Sequence, residues 1–403
     1  MQQIFAELFS GVVDMFSIAG LKCLVMFVIA GVLIYLAIKK DYEPTLLLPI
    51  GFGCILANLP GAIDAVTGAK VPAVLGESGF LSLLFNAGIA NELFPVLIFI
   101  AVGAMIDFSP LLKDPSMIFF GAAAQFGIFA TFLLSLVLLP IIPGLVAEGD
   151  SDLVMKLASA IGFIGAADGP STLYVANHFQ LKDYMGPISV AAYSYMALVP
   201  VIQPPVIKAL TTRKERMIRM DYQEERCSKT TLILFPIIVT VVAGIIVPMS
   251  APLVGSLMFG NLIRECGVLE RLSKTAQNEL ANLVTIVLGI TVGGTMVADK
   301  FLHPTTALIL ILGLFAFVFD TAGGVLFAKF LNLFRKKKIN PMIGAAGISA
   351  FPMSSRVIAK MALKEDPSNF ILMQSTSANV SGQLGSIVAG GMVITLVSML
   401  LGG

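Results

Sequence analysis

The chain has 403 residues, 57% hydrophobic and 13% charged, with a mean hydropathy of +0.92 and a net charge of +1. Soluble domains carry about 25% charged residues, so this composition excludes an ordinary soluble domain and describes an all-α polytopic membrane protein. The near-neutral balance offers no basic surface for nucleic acid. Four scattered cysteines and two histidines, His178 and His303, exclude a Cys/His metal centre and supply no disulfide framework. The sequence has no glycine-rich loop ending in Lys-Ser/Thr, which argues against ATP hydrolysis in this chain.

Residues 1–17 lack the basic start of a cleaved signal peptide and read as an amphipathic helix lying at the membrane interface. Ile18 to Ile38 is the first span, closed by Lys39 and Lys40. Leu46 to Asn58 reads as a short segment broken at Gly51 and Gly53. A mixed loop over 59–92 holds one amphipathic helix near Leu81 to Phe85. Leu93 to Ile106 is the next span, and Met117 to Val146 is long enough to cross with tilt. After the acidic stretch Glu148 to Asp152 comes Leu153 to His178, then a clean span from Pro187 to Leu210. The linker 211–230 carries Arg213, Lys214, Arg216, Arg219, Arg226 and Lys229, which places it in the cytoplasm. Lys39, Lys40 and the run Arg335 to Lys338 vote the same way.

The same order of segments then recurs: Leu232 to Val247, Met258 to Cys266, Leu283 to Val297, Thr305 to Phe334, Met342 to Leu363 and Phe370 to Leu401. Gly51 to Gly53 matches Met258 to Gly260. Ile161, Gly162, Gly165 and Pro170 fall in register with Ile343, Gly344, Gly347 and Pro352 at one constant offset. These alignments predict a duplication, 18–210 and 231–403. With all basic loops cytoplasmic, the count of crossings works only if one segment per half enters and returns. The glycine- and proline-broken stretch around Asp168 is the best choice for the first half. Each half then has five spans plus one broken re-entrant segment, and the halves lie inverted.

The stretch Ile161 to Tyr174 is a polar island in an apolar run. A charged Asp at membrane depth costs ~2.5–3.5 kcal/mol on insertion scales and usually faces a cavity or an ion path. Gly169 and Pro170 interrupt the helix there and leave backbone carbonyls free, which is tolerated only where they line protein or water. An oxygen-rich turn with one negative charge suits a small cation. The plainer alternative is that Asp168 only caps a short helix. A second island, Ile339 to Arg356, offers Asn340, hydroxyls and Arg356, and a third, Gln374 to Ser386, offers Asn379. Asp168, Asn340 and Asn379 together suit Na+ better than a divalent ion, although Asn379 and Ser386 equally suit interhelical hydrogen bonds. Tyr193 and Tyr195 are either proton donors near the acid or interfacial anchors. For Asp320, helix packing and a second ion contact are both open.

Taken together, these residues resemble the membrane-embedded beta subunits of the sodium-pumping biotin-dependent decarboxylases, which act on oxaloacetate, methylmalonyl-CoA or glutaconyl-CoA. The stretches that carry the resemblance are Glu43 to Gly53, Gly165 to Pro170, Ala191 to Pro205, Leu257 to Glu265, Thr321 to Val325, Asn340 to Arg356, and Asn379. Ser171 stands where the family often has Thr. The resemblance implies a translocase that releases CO2 from carboxybiotin, consumes a proton and exports Na+. It implies Asp168 as the ion-binding and coupling carboxylate, Asn340, Asn379 and Gly344 at the ion site, Ser349 and Tyr195 on the ion and proton path, and Arg356 toward the carboxybiotin anion. It also implies a scaffold with a sliding, elevator-like core bundle, a carboxyltransferase alpha subunit, a biotin carrier protein, a small gamma- or delta-type membrane subunit, a homotrimer, and the inner membrane of a bacterium. The chain shows no biotin-attachment motif, so the biotin is expected to come from a partner. A stand-alone Na+/H+ antiporter or Na+-coupled carboxylate carrier is the alternative use of the same broken segments.

Overall fold

In the computed structural model, residues 10–63, 70–141, 150–220 and 227–402 are described. The chain is helical, apart from one antiparallel pair of two-residue strands, Ala62–Ile63 with Lys70–Val71. Of the sequence-predicted interfacial helix, Ser10–Asp14 is helical and residues 1–9 lie outside the described residues. The end of the expected Met117 to Val146 span, residues 142–146, lies outside them too.

Among the described residues, six helical stretches are long and apolar enough to cross a membrane: Ile18–Lys40, Pro115–Ile141, Met185–Leu210, Lys229–Ile246, Pro304–Phe334 and Leu372–Leu400. A bent pair, Phe80–Ile89 with Leu93–Met105, makes a seventh if counted as one span. Helix α1 (Ile18–Lys40) starts where the Ser17 hydroxyl accepts the Gly20 N–H at 3.0 Å. Leu21, Leu24, Val25, Val28 and Val32 are exposed along it. Apolar side chains left bare at helical spacing on a helix of this length face lipid.

Helix α2 (Pro44–Ala57) corrects one expectation, since it runs unbroken through Gly51 and Gly53. Those glycines serve contact instead. A Cβ on Gly53 would run into the Ile290 carbonyl of α11 (Ala281–Gly294), and one on Gly293 would run into the Ile50 carbonyl. Helix α3 (Leu93–Met105) meets α10 (Ala251–Glu265) in the same way, Gly103 on Leu257 and Gly260 on Ile100. In lipid no water competes for the backbone, so glycine keeps its helical hydrogen bonds and lets axes approach closely. The second helix of each sequence half therefore packs on the third helix of the other.

The remaining spans hold two interrupted segments. Helices α4 (Ile118–Ala124) and α5 (Phe126–Ile141) form one span that bends at Gln125. Helices α6 (Ser151–Ile164) and α7 (Gly169–His178) are separated by residues 165–168. After α8 (Met185–Leu210) and the linker come α9 (Lys229–Ile246), α10, α11 and α12 (Pro304–Phe334). Helices α13 (Met342–Ala345) and α14 (Met353–Glu365) flank the second interruption, and α15 (Leu372–Leu400) closes the fold.

Both ends of the second interrupted segment stand at the linker. Asn340 donates to the carbonyls of Arg216 and Ile218 at 2.8 and 2.9 Å. Arg216 pairs with Glu365 at 2.8 Å and Arg219 with Asp366 at 2.7 Å. At the start of α8, burial pushes the Tyr184 phenol up, and Asp183 and Asp150 add to that push.

Two predictions follow from this packing. A Val at Gly260 forces backbone against backbone, and overpacking of this kind costs about 1–3 kcal/mol. The purified protein should melt lower in detergent, whereas Gly31→Val, where a Cβ meets nothing within 4 Å, should leave the melting temperature unchanged. At the linker, Arg219 holds the Asp366 carboxyl below the usual carboxylate range. A depressed carboxyl contributes stability above its unfolded value, about pH 4, and loses it as pH falls through the lower folded value. A nitroxide at Lys214 should become mobile on acidification below about pH 4 in the wild type, but be mobile at every pH in Asp366→Asn.

Candidate functional site

The first interruption is shaped by its own residues. Ala167 sits at φ +52°, in the left-handed region, and turns the chain so that Asp168 starts α7. Asp168 is 4% exposed. It accepts the Ser171 N–H at 3.2 Å and the Ser171 hydroxyl at 2.7 Å, the arrangement of a helix N-cap. It also accepts the Ser386 hydroxyl at 3.0 Å and lies 3.4 Å from the Gln383 amide nitrogen, both on α15. The capping role and the buried acid facing neutral oxygens are thus one arrangement. Thr172 donates to the Asp168 carbonyl at 2.8 Å and steadies the turn.

The two interruptions touch. The Ser349 N–H donates to the Ala166 carbonyl at 2.9 Å. The Ser349 hydroxyl donates to the Gly382 carbonyl at 3.0 Å. Asn379 gives its amide to the Ala346 and Ile348 carbonyls at 3.1 and 2.7 Å, and its Oδ1 is buried without a partner among the described residues. Gln203 of α8 serves the Ala345 carbonyl at 2.7 Å. Side chains on α8 and α15 therefore take up the carbonyls that the second break frees. Gly344 lies against Gly324 so closely that a side chain on either would meet the other's carbonyl.

A cavity of about 310 Å³ opens beside this junction. Asp168, Tyr193, Ser349 and Gln383 line it from one side, and Glu43 with Gln277 from the other. Tyr193 is 1% exposed, its ring lies on Gly169, and its hydroxyl has no partner among the described residues. A single buried carboxylate among hydroxyls and amides can hold one small cation or one proton.

The chain matches the family described as "Na+-transporting oxaloacetate decarboxylase beta subunit" over residues 22–397. The chain belongs to that family. It is 44% identical to the oxaloacetate decarboxylase beta chain of Klebsiella pneumoniae, over 93% of this chain and 94% of that one. It is 46% identical to the methylmalonyl-CoA decarboxylase subunit beta of Propionigenium modestum, with the same coverage, and 45% identical to that of Veillonella parvula, over 93% of each. The resemblance drawn from the motifs is thereby established, and with it a multi-pass membrane protein of a Na+-transporting decarboxylase family.

In this beta subunit the sequence-predicted residues separate into groups. Asp168 and Ser349 line the cavity, and Asn379 anchors the second interruption behind it. Gly344 permits the contact of α13 with α12. Asn340 sits at the start of α13, where its amide is engaged by linker carbonyls and its Oδ1 accepts the Met342 N–H at 3.1 Å. Tyr195 donates to the Leu310 carbonyl at 2.5 Å, and it is Tyr193 that faces the cavity. Arg356 is exposed and acts electrostatically on Glu43 at the cavity wall. Sequence reasoning gave no role to Ser171 or Gln383, named Ser386 for interhelical hydrogen bonds, and left Tyr193 open between proton donor and anchor. The signal for Gln383 and Ser386 was spacing, because Asn379, Gln383 and Ser386 fall at i, i+4 and i+7 and share one helix face.

Asn379 offers a direct check. Asn379→Leu leaves two buried carbonyls unserved, each costing about 1–3 kcal/mol. It should lower the melting temperature in detergent by several degrees, more than Ser386→Ala, which removes one of several donors to Asp168.

Proposed function

We propose that this chain is the carboxybiotin decarboxylase and Na+ translocase subunit of a biotin-dependent decarboxylase complex. The observation that carries the reading is Asp168: one carboxylate, buried where two interrupted segments meet, lining a cavity. The names of the relatives support it, since they are beta chains of oxaloacetate and methylmalonyl-CoA decarboxylases.

Decarboxylation of carboxybiotin breaks an N–C bond. CO2 leaves, the electron pair stays on the ring nitrogen, and one proton is consumed there. Asp168 binds Na+ when ionised and releases it on taking up a proton, so proton supply and ion release share one group. Asn379 and the Gly344 and Ser349 backbone complete the oxygen-rich region, with Asn340 fixing the entry of α13. Tyr195 stands on the proton path by family resemblance, and Tyr193, whose free hydroxyl faces the cavity, joins it on geometry. Arg356, a guanidinium at an exposed position, suits the planar carboxylate of the incoming carboxybiotin.

The architecture that serves this is an inverted repeat, 18–210 and 231–403, joined by the cytoplasmic linker 211–230. The reciprocal glycine contacts of α2 with α11 and α3 with α10 are what a pseudo-two-fold axis produces. The two ends of the second interrupted segment, both held at the linker, support a re-entrant path. A sliding core bundle against a scaffold is the motion this suggests. The partners are a carboxyltransferase alpha subunit, a biotin carrier protein and a small gamma-type membrane subunit, with the chain as a homotrimer in the inner membrane of a bacterium.

The test is Na+-dependent CO2 release from carboxybiotin by the reconstituted complex, with Na+ transport followed in vesicles. Asp168→Asn should lose coupled activity by at least about 100-fold, the loss expected when a group that carries the transferred proton is removed. Full coupled activity in Asp168→Asn sinks the assignment. Transport by the chain alone, without biotin partners, would favour the stand-alone carrier.

A further inference from the structure

A second buried acid lies behind the ion site and takes no part in it. Asp320 of α12 is 1% exposed. Its Oδ1 accepts the Ile128 N–H at 3.1 Å, and the Gly127 N–H also bonds to its carboxyl. These are among the first amides of α5, where the long span is interrupted at Gln125, and the Ile128 N–H also reaches the Gln125 carbonyl at 3.1 Å. A helix N-terminus favours an anion at this position. The other oxygen, Oδ2, has no hydrogen-bond partner among the described residues. It bears on Gly165, where a Cβ would stand 2.7 Å away. Gly165 opens the interruption that ends at Asp168.

The same bend reaches the second interruption. Gln125 donates to the Gly121 carbonyl at 2.9 Å and lies 3.4 Å from the Gly347 carbonyl. The Gln125 bend and Asp320 thus hold one contact on each broken segment, on the side away from the cavity.

We propose that Asp320 is a positioning residue for the ion site. It anchors the start of α5 with one oxygen and backs Gly165 with the other, holding the turn 165–168 so that Asp168 faces the cavity. It touches neither the ion nor carboxybiotin and acts through Asp168, so the proposal rests on the ion-site reading given above. Two amides of α5 reach the carboxyl while Oδ2 stands against Gly165, where there is no room for a side chain. An Asn keeps the acceptor for the amides but replaces Oδ2 by a donor.

The experiment uses the purified decarboxylase complex with Asp320→Ala and Asp320→Asn. Hydrogen exchange is followed in peptides covering 161–172, and CO2 release is followed against Na+ concentration and pH. In Asp320→Ala, exchange at 165–168 should rise and the Na+ half-saturation should increase about tenfold, the consequence of losing one buried charge-assisted bond. Its pH profile should move, while the maximum rate at saturating Na+ changes less than about threefold. Asp320→Asn should recover most of each effect. If Asp320→Ala does not assemble, Gly165→Ala provides the same readouts by pressing a methyl onto Ala316 and Oδ2 together. Wild-type exchange at 165–168 overturns the brace. Raised exchange with wild-type Na+ half-saturation and pH profile overturns the positioning role. A parallel Asp168→Asn complex that keeps Na+ coupling overturns the ion-site reading itself, a result separate from either.

Discussion

The fold depends on one constraint: at membrane depth, a backbone carbonyl or N–H that leaves a helix must find a partner inside the protein. Two segments of this chain leave their helices in the buried interior, and each is answered there. Ser349 N–H meets the Ala166 carbonyl, so the breaks satisfy each other. Asn379 and Gln203 serve the carbonyls at 345–348 from neighbouring helices, and Asp168 and Asp320 take up amides at the starts of α7 and α5. Polar side chains that look out of place in an apolar sequence are the ones that make interruption affordable.

That same requirement builds the site. A helix broken in lipid needs acceptors and donors close by, and the groups that meet the need are oxygens and amides converging on a small volume. One of them is a carboxylate with two further neutral donors from α15. The cavity opens beside it. The atoms that cap the broken helices are the ones the proposed ion site would use, so a change to one role is felt by the other.

Much of this was legible in the sequence, because the signals were local. The spans followed from apolar length, the interruption at Asp168 from Gly169 and Pro170, and its counterpart from the repeated Ile, Gly, Gly and Pro. The family was legible from motifs spread over the whole chain. Gly51 and Gly53 misled, since glycine marks either a break or a close approach, and only the facing groups, Ile34 and the Ala30 carbonyl of α1 for Gly51 and the Ile290 carbonyl of α11 for Gly53, distinguish the two. Tyr193 and Tyr195 were equally plausible in sequence. Two residues apart on a helix point about 200° apart, so one faces the cavity and the other is held by the Leu310 carbonyl.

By itself the sequence determined a helical membrane protein, its family, the interruption at Asp168 with its counterpart before Pro352, and that Asp168 is the acid to watch. These are properties of composition, run length and short motifs, each read within a few turns of chain. Only the tertiary structure decided which oxygens stand beside Asp168, that Asn340 is engaged with the linker, and that Asp320 backs the same turn from behind. Those pairings join residues as far apart as Asp168 and Ser386. Helix packing fixes them through close glycine contacts, and no local pattern in the chain encodes which faces will meet.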